Sequence, residues 1–227
     1  MLKKIVLSVG CVLIVSSVVL AVYAGIQLLG VPFFSFEDVF KIIVIIGFPM
    51  LIGIVLVTSS VPNEIRRKII IIEELVFLFM YGFIVFRLVF GGFRISAFGL
   101  ETNLSVIDYI KLNCNFVPFK TIFYYVSCFF SGEINRGIVI NNLVGNFMMF
   151  MPAGLLLPAI FTKQRKWVCF LITIASILIG IEVVQLVFRL GTFDIDDFIL
   201  GMTGACLVYG IIRIGVIKRF LNWAKIF

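Results

Sequence analysis

The 227-residue chain has a mean hydropathy of +1.21 and only 14% charged residues, far below the roughly 25% of a soluble domain, so its solvent is lipid. The complete absence of His removes Ser-His, Cys-His and His-metal chemistry from within the chain. A net charge of +7 follows the pattern of membrane insertion described below, which excludes nucleic acid as the partner that the basic residues serve.

Taken in chain order, six apolar runs approach the roughly 20 residues that cross a bilayer as a helix: residues 5–29, 42–61, 69–90, 142–161, 167–188 and 197–216. Lipid offers no hydrogen bonds, so each run must satisfy its backbone internally, and the alternating pattern of a membrane β-barrel is absent. The expected fold class is all-α, a polytopic membrane bundle of about six spans. The first run exceeds the roughly 7 to 15 apolar residues of a removable signal peptide and reads as a retained anchor. With the second it forms an N-terminal transmembrane hairpin over residues 1–66 that carries no intramembrane charge. A transmembrane domain over 67–217 and a basic tail over 218–227 follow.

Lys and Arg are retained on the cytoplasmic side during insertion. With the N-terminus inside, Lys3, Lys4, Arg66, Arg67, Lys68, Lys163, Arg165, Lys166, Arg213, Lys218, Arg219 and Lys225 all fall inside. Glu37, Asp38, Glu101, Asp108, Glu133, Asp194, Asp196 and Asp197 all fall outside. Both termini are therefore expected in the cytoplasm, with the lipid bilayer as the first partner.

Residues 91–141 form one long outer loop that is too apolar for disorder. Within it "LSVIDYIKL" (104–112) and "FKTIFYYVSCFF" (119–130) alternate greasy and polar positions and predict amphipathic helices lying at the membrane surface. The second, at about twelve residues, is too short to cross. Cys114 and Cys128 share this loop, whereas Cys11, Cys169 and Cys206 fall in spans, so reduced cysteines acting as small apolar residues are expected.

A charge at the centre of a span costs on the order of 2.5 to 3.5 kcal/mol on insertion scales, so each intramembrane polar group needs a partner or a role. Glu73 and Glu74 occupy the first turns of the third run, where the helix N-terminus and Arg66 or Arg67 favour them structurally. Arg87 lies near the outer end of the same run, available as a counter-charge. Asn142 and Asn146 are four apart, Glu182 and Gln185 three apart, and Asp194 and Asp197 three apart, on successive spans and at one outer level. With Asp196 they predict a polar pocket opening outward. Capping of the sixth helix accounts for Asp194 and Asp197, and leaves Asp196 and Glu182 unexplained. Pro152 is expected to bend the fourth span by freeing the Met148 carbonyl, and Gly201, Gly204 and Ala205 give the sixth span a face for close approach.

In order and spacing, "NFVPFKTI" (115–122), "NLVGNFMMFMPAGLLLP" (142–158), "IEVVQ" (181–185) and "FDIDDFIL" (193–200) resemble the VanZ-like membrane proteins, over residues 70–215. The resemblance implies a multi-pass protein of the bacterial plasma membrane, in a family whose founding example is associated with low-level resistance to the glycopeptide teicoplanin. It carries over Asn115, Pro118, Phe119, Asn142, Gly145, Asn146, Pro152, Gly154, Glu182, Gln185, Asp194, Asp196, Asp197 and Gly204 as the family's motif positions. The chain departs from the pattern at Gly201, where the family usually has Asn.

Two functions stay open at this level. The first is a non-catalytic module whose pocket, lined by Asn115, Asn142, Asn146, Glu182, Gln185, Asp194, Asp196, Asp197 and Arg87, binds an amphiphile such as a lipoglycopeptide or a lipid-linked cell-wall precursor. The second is an intramembrane enzyme that works with carboxylates alone or with a divalent cation held by Asp194, Asp196, Asp197 and Glu182. Ion movement between Glu73, Glu74 and Glu182 ranks last, because no polar step lies between them.

Overall fold

A computed structural model of the chain describes residues 2–29, 41, 43–90 and 105–223. Residues 91–104 and 224–227, with Arg94, Glu101 and Lys225, lie outside the described residues, as do residues 30–40 with Glu37 and Asp38. The regular elements are helices, apart from one pair of two-residue strands, and they form two compact units. The first unit holds α1 (Leu2–Leu29), a π-helical turn (Ile43–Gly47), α2 (Phe48–Ser60) and α3 (Asn63–Phe90). The second begins with α4 (Val106–Asn113), β1 (Cys114–Asn115), α5 (Lys120–Ser131), α6 (Arg136–Met149) and α7 (Met151–Ile160). After a 3-10 turn (Thr162–Arg165) it continues with α8 (Trp167–Val187), β2 (Phe193–Asp194), α9 (Ile195–Ile211) and α10 (Gly215–Trp223). Among the described residues four helical stretches are long and apolar enough to cross a membrane: Leu2–Gln27, Glu64–Phe90, Arg136–Ile160 and Trp167–Val187. Val44–Ser60 is a shorter apolar helix.

In the first unit α1 and α2 cross at glycine. A Cβ on Gly10 would stand 2.9 Å from the Gly53 carbonyl oxygen, and one on Gly53 would stand 2.9 Å from the Gly10 oxygen. Lipid tails are as apolar as Leu, so close backbone contact rather than hydrophobic burial holds such helices together. The Arg66 guanidinium donates through Nε to the Thr58 carbonyl at 2.6 Å and closes the connection from α2 to α3. Glu73 and Glu74 are buried on α3. The hairpin expected over residues 1–66 thus continues through α3 within one compact unit.

In the second unit α6 starts at Arg136, ahead of the expected residue 142, because Asn135 caps it by accepting the Gly137 N–H at 2.8 Å. The helix stops at Phe150, and α7 restarts with Pro152 in its first turn, where the missing N–H is harmless. The break at Phe150, with Pro152 opening α7, interrupts the fourth run within the helical stretch Arg136–Ile160. The helix α8 ends in a Schellman turn, with Leu190 N–H on the Gln185 carbonyl at 2.8 Å and Arg189 N–H on the Leu186 carbonyl at 3.2 Å. Arg189 takes the left-handed conformation usually given to Gly, at φ 53°. Its guanidinium lies 5.0 Å from the Tyr109 ring centroid. Tyr109 in turn donates its hydroxyl to the Gly191 carbonyl at 3.0 Å, which ties α4 to the chain leaving α8.

Backbone meets backbone where α9 crosses α6 and α7. A Cβ on Gly204 would lie 1.9 Å from the Phe147 carbonyl oxygen, and one on Gly154 would lie 2.4 Å from the Ala205 oxygen. At Gly201 a Cβ would meet Leu178 Cδ2 at 2.8 Å and Phe150 Cδ2 at 2.9 Å, so apolar side chains close the position where the resemblance leads one to expect Asn. The sixth run, expected over 197–216, ends as a helix at Ile211, and α10 takes in the start of the expected basic tail.

Candidate functional site

Three segments remote in sequence meet at the N-terminal end of α9. The strands β1 and β2 pair in parallel with Asn115 opposite Asp194. Asn115 shapes the turn that follows, its Oδ1 accepting the Val117 N–H at 3.2 Å. Its Nδ2 donates to Asp194 Oδ1 at 2.9 Å and to Thr121 Oγ1 at 3.0 Å. The Thr121 hydroxyl donates to Asp194 Oδ2 at 2.6 Å. Asp194 also caps its own helix by accepting the Asp196 N–H at 2.9 Å, while its own N–H donates to Glu182 Oε2 at 2.9 Å. One residue thus joins four elements, its carboxylate holding β1, α5 and α9 and its backbone N–H holding α8.

Asp196 is fully buried and caps a different helix from its own. Its Oδ1 accepts the Phe119 N–H at 2.5 Å, and its Oδ2 accepts the Thr121 and Ile122 N–H groups at 2.7 and 3.1 Å. The last two belong to the first turn of α5, where no intrahelical acceptor exists. Phe119 itself sits at φ 65°, a left-handed conformation that is strained for a residue with a Cβ. Charge-assisted bonds of this kind are about twice as strong as neutral ones, and they hold the strained entry to α5 in place.

Asp197 differs from the other acids. It is half-buried, and among the described residues its hydrogen-bond donor is the Asn146 amide, at 2.5 Å. Tyr125 of α5 is close enough to feel the acids: burial pushes its phenol up from the ordinary value, and the charges of Asp197 and Asp194 push it further. The same short helix exposes Phe123, Tyr124 and Phe130.

Of the residues expected to line a pocket, Asn115, Glu182, Asp194 and Asp196 share one hydrogen-bonded network, and Asp197, next in the chain, pairs with Asn146 beside it. Asn142 does not join them through a hydrogen bond, because its amide donates to the Ile138 carbonyl of its own helix at 2.8 Å. Gln185 lies against Gly191, where a Cβ would meet its Nε2 at 3.5 Å. Arg87 is carried by α3 in the first unit, whereas the cluster is described within the second. Thr121 and Tyr125 escaped the sequence reading. Thr121 stands in the quoted "NFVPFKTI" stretch, but a lone hydroxyl in an amphipathic segment gives no separate signal.

The possible ligand set Asp194, Asp196, Asp197 and Glu182 does not form a metal centre: among the described residues no group of three or more acidic or thiol side chains is placed to hold an ion. The reason is orientation. The oxygens of Asp196 face the start of α5 and those of Asp194 face Asn115, Thr121 and the Asp196 N–H, so they do not converge on one point.

Residues 74–218 match the model of the VanZ/LLP1 family, a span that contains every member of the cluster. No curated protein and no solved structure matches the chain.

Proposed function

The chain belongs to the VanZ/LLP1 family, and we propose that it serves the bacterial cell envelope by binding an amphiphile of the teicoplanin type at the outer face of the plasma membrane. One observation carries this reading: the half-buried pair Asp197 and Asn146 lies in the same cluster as α5, whose aromatic side chains Phe123, Tyr124 and Phe130 are exposed. An acyl chain can pack on those rings while Asp197 accepts hydrogen bonds from the head group. The donors already on the four carboxylates are amide, hydroxyl and backbone groups, so the region favours a head rich in N–H and O–H donors over one bearing phosphate. That preference points to a glycopeptide head before a lipid-linked cell-wall precursor. The metal-dependent enzyme has no such support, because the acids it needs are turned to other partners.

In this reading the protein crosses the membrane six times with both termini in the cytoplasm and α5 lying on the outer surface. Support comes from the charge along α9, which has Asp194, Asp196 and Asp197 at one end and Arg213, Lys218 and Arg219 beyond the other. The 17 residues of α9 make about 26 Å, slightly short of the roughly 30 Å hydrocarbon core, a mismatch that local thinning accommodates.

The test is saturable binding of a fluorescent teicoplanin derivative to the full chain in nanodiscs, alongside glycopeptide susceptibility of a sensitised strain expressing it. Asp197→Asn is expected to weaken binding at least about tenfold, the loss of one charge-assisted hydrogen bond. Absence of saturable binding, together with unchanged susceptibility, would overturn the reading.

A further inference from the structure

At the end of the second unit remote from the carboxylates, two connections are stapled together. Tyr209 donates its hydroxyl to the Gln164 carbonyl at 3.0 Å, and Arg213 donates to the Arg165 carbonyl and to the Tyr209 hydroxyl. The Arg213 guanidinium lies 4.2 Å from the Tyr209 ring centroid and 5.9 Å from that of Trp167, while Phe170 stacks on Tyr209 at 4.0 Å. Arg165 turns back to the Pro158 carbonyl at 3.1 Å. The staple brings the connection from α7 to α8 beside the one from α9 to α10, and leaves Lys163, Lys166, Lys218 and Arg219 exposed. Residues 155–175 and 205–223 contain no Asp or Glu, so these segments hold no carboxylate to neutralise that charge.

The helix α10 has nine residues, about 14 Å, and cannot cross hydrocarbon. Its sequence is two-sided: Val216, Ile217 and Leu221 fall on one face, and Lys218 and Arg219 on the other. Leu221 is buried and Val216 is exposed, so the apolar face is only partly covered by the protein.

We propose that α10 and the stapled basic connections form a docking surface for a leaflet of anionic phospholipid, with α10 lying in the plane of the interface. Charge complementarity, and continuity with α9, which the proposed function above sets in the membrane, single out the bilayer as the occupant. Val216 enters the acyl boundary, and Lys163, Lys166, Lys218 and Arg219 meet the headgroup phosphates. A free phosphate could use the cations but not the apolar face. Each cation near an anionic surface is worth about a fivefold gain in binding, falling as salt screens it.

Hydrogen exchange of the amides of residues 215–223 tests this in the full chain, held in nanodiscs of phosphatidylcholine or of equal parts phosphatidylcholine and phosphatidylglycerol. Protection is expected to be at least about tenfold higher in the anionic discs, and to fall on raising the salt. The double variant Lys218→Gln, Arg219→Gln should lose most of the protection attributable to the anionic lipid, up to about 25-fold for two cations, with exchange in α8 unchanged as a control of folding. Equal protection in both discs, retention by the double variant, or the same gain in neutral discs from added inorganic phosphate overturns the proposal. If the variant also loosens α8, the salt series on the unaltered protein decides, and protection indifferent to salt overturns it.

Discussion

Replacing Asp196 by Asn keeps the size of the side chain and changes only what its outer atoms accept. One carboxylate oxygen takes the Phe119 N–H and the other takes those of Thr121 and Ile122, all in a fully buried position. An amide retains one acceptor and turns a donor toward the remaining N–H. At least one donor is stranded, and the surviving bonds lose their charge assistance. A hydrogen bond to a charged group is worth about 1.5–3 kcal/mol, and a stranded buried donor costs about 1–3 kcal/mol. Because α5 can lift off and rehydrate its first turn, the net shift toward the detached helix is capped at about 2–3 kcal/mol, a rise of roughly 30- to 150-fold in its population. Cys128, buried on α5, reports that event. In a chain with Cys11, Cys114, Cys169 and Cys206 replaced by Ala, maleimide labelling of Cys128 follows the open population. Asp196→Asn should label about 30- to 150-fold faster than its parent, and Asp108→Asn on the exposed cap of α4 should not. Labelling at the parental rate with Asn at 196 refutes the idea that this carboxylate anchors α5.

Gly204→Ala forces the Phe147 carbonyl away from α9 and should lower the thermal midpoint in detergent by the equivalent of about 3 kcal/mol or more, whereas Gly145→Ala, with nothing within 4 Å of the new methyl, should be neutral or stabilising. Equal midpoints for the two variants would contradict the close crossing. Asn146→Ala removes the donor on Asp197 and should weaken teicoplanin binding in nanodiscs at least about fivefold, while Asn142→Ala, whose amide bonds its own helix, should leave it unchanged. Titration of Tyr125 by its ultraviolet difference signal should place ionisation above the ordinary value of 10.0, and Asp197→Asn should bring it down. The sign follows from the raised value in the fold: the stabilisation is complete below the unfolded value and is lost as pH rises through the folded one.

Part of the site is legible in the sequence. The acids at 194, 196 and 197 and Glu182 stand out because charge is rare in this chain and each needs a reason to be there. Their division of labour was hidden. Asp196 serves donors 74 to 77 positions away, and no local pattern announces a cap supplied by another helix. Asn142 and Asn146 are equivalent on a helical wheel, yet only the crossing with α9 brings the second to Asp197. The early start of α6 rests on the Asn135 cap, a signal that the apolar run beginning at residue 142 outweighed.

By itself the sequence determined the apolar solvent and the helical class, because lipid leaves a backbone few ways to satisfy itself. Only the tertiary structure decided which carboxylates brace helices and which stays half-open. That choice depends on where N–H groups from distant turns arrive, and the missing side chains at Gly154 and Gly204 set it by letting α9 settle against α6 and α7.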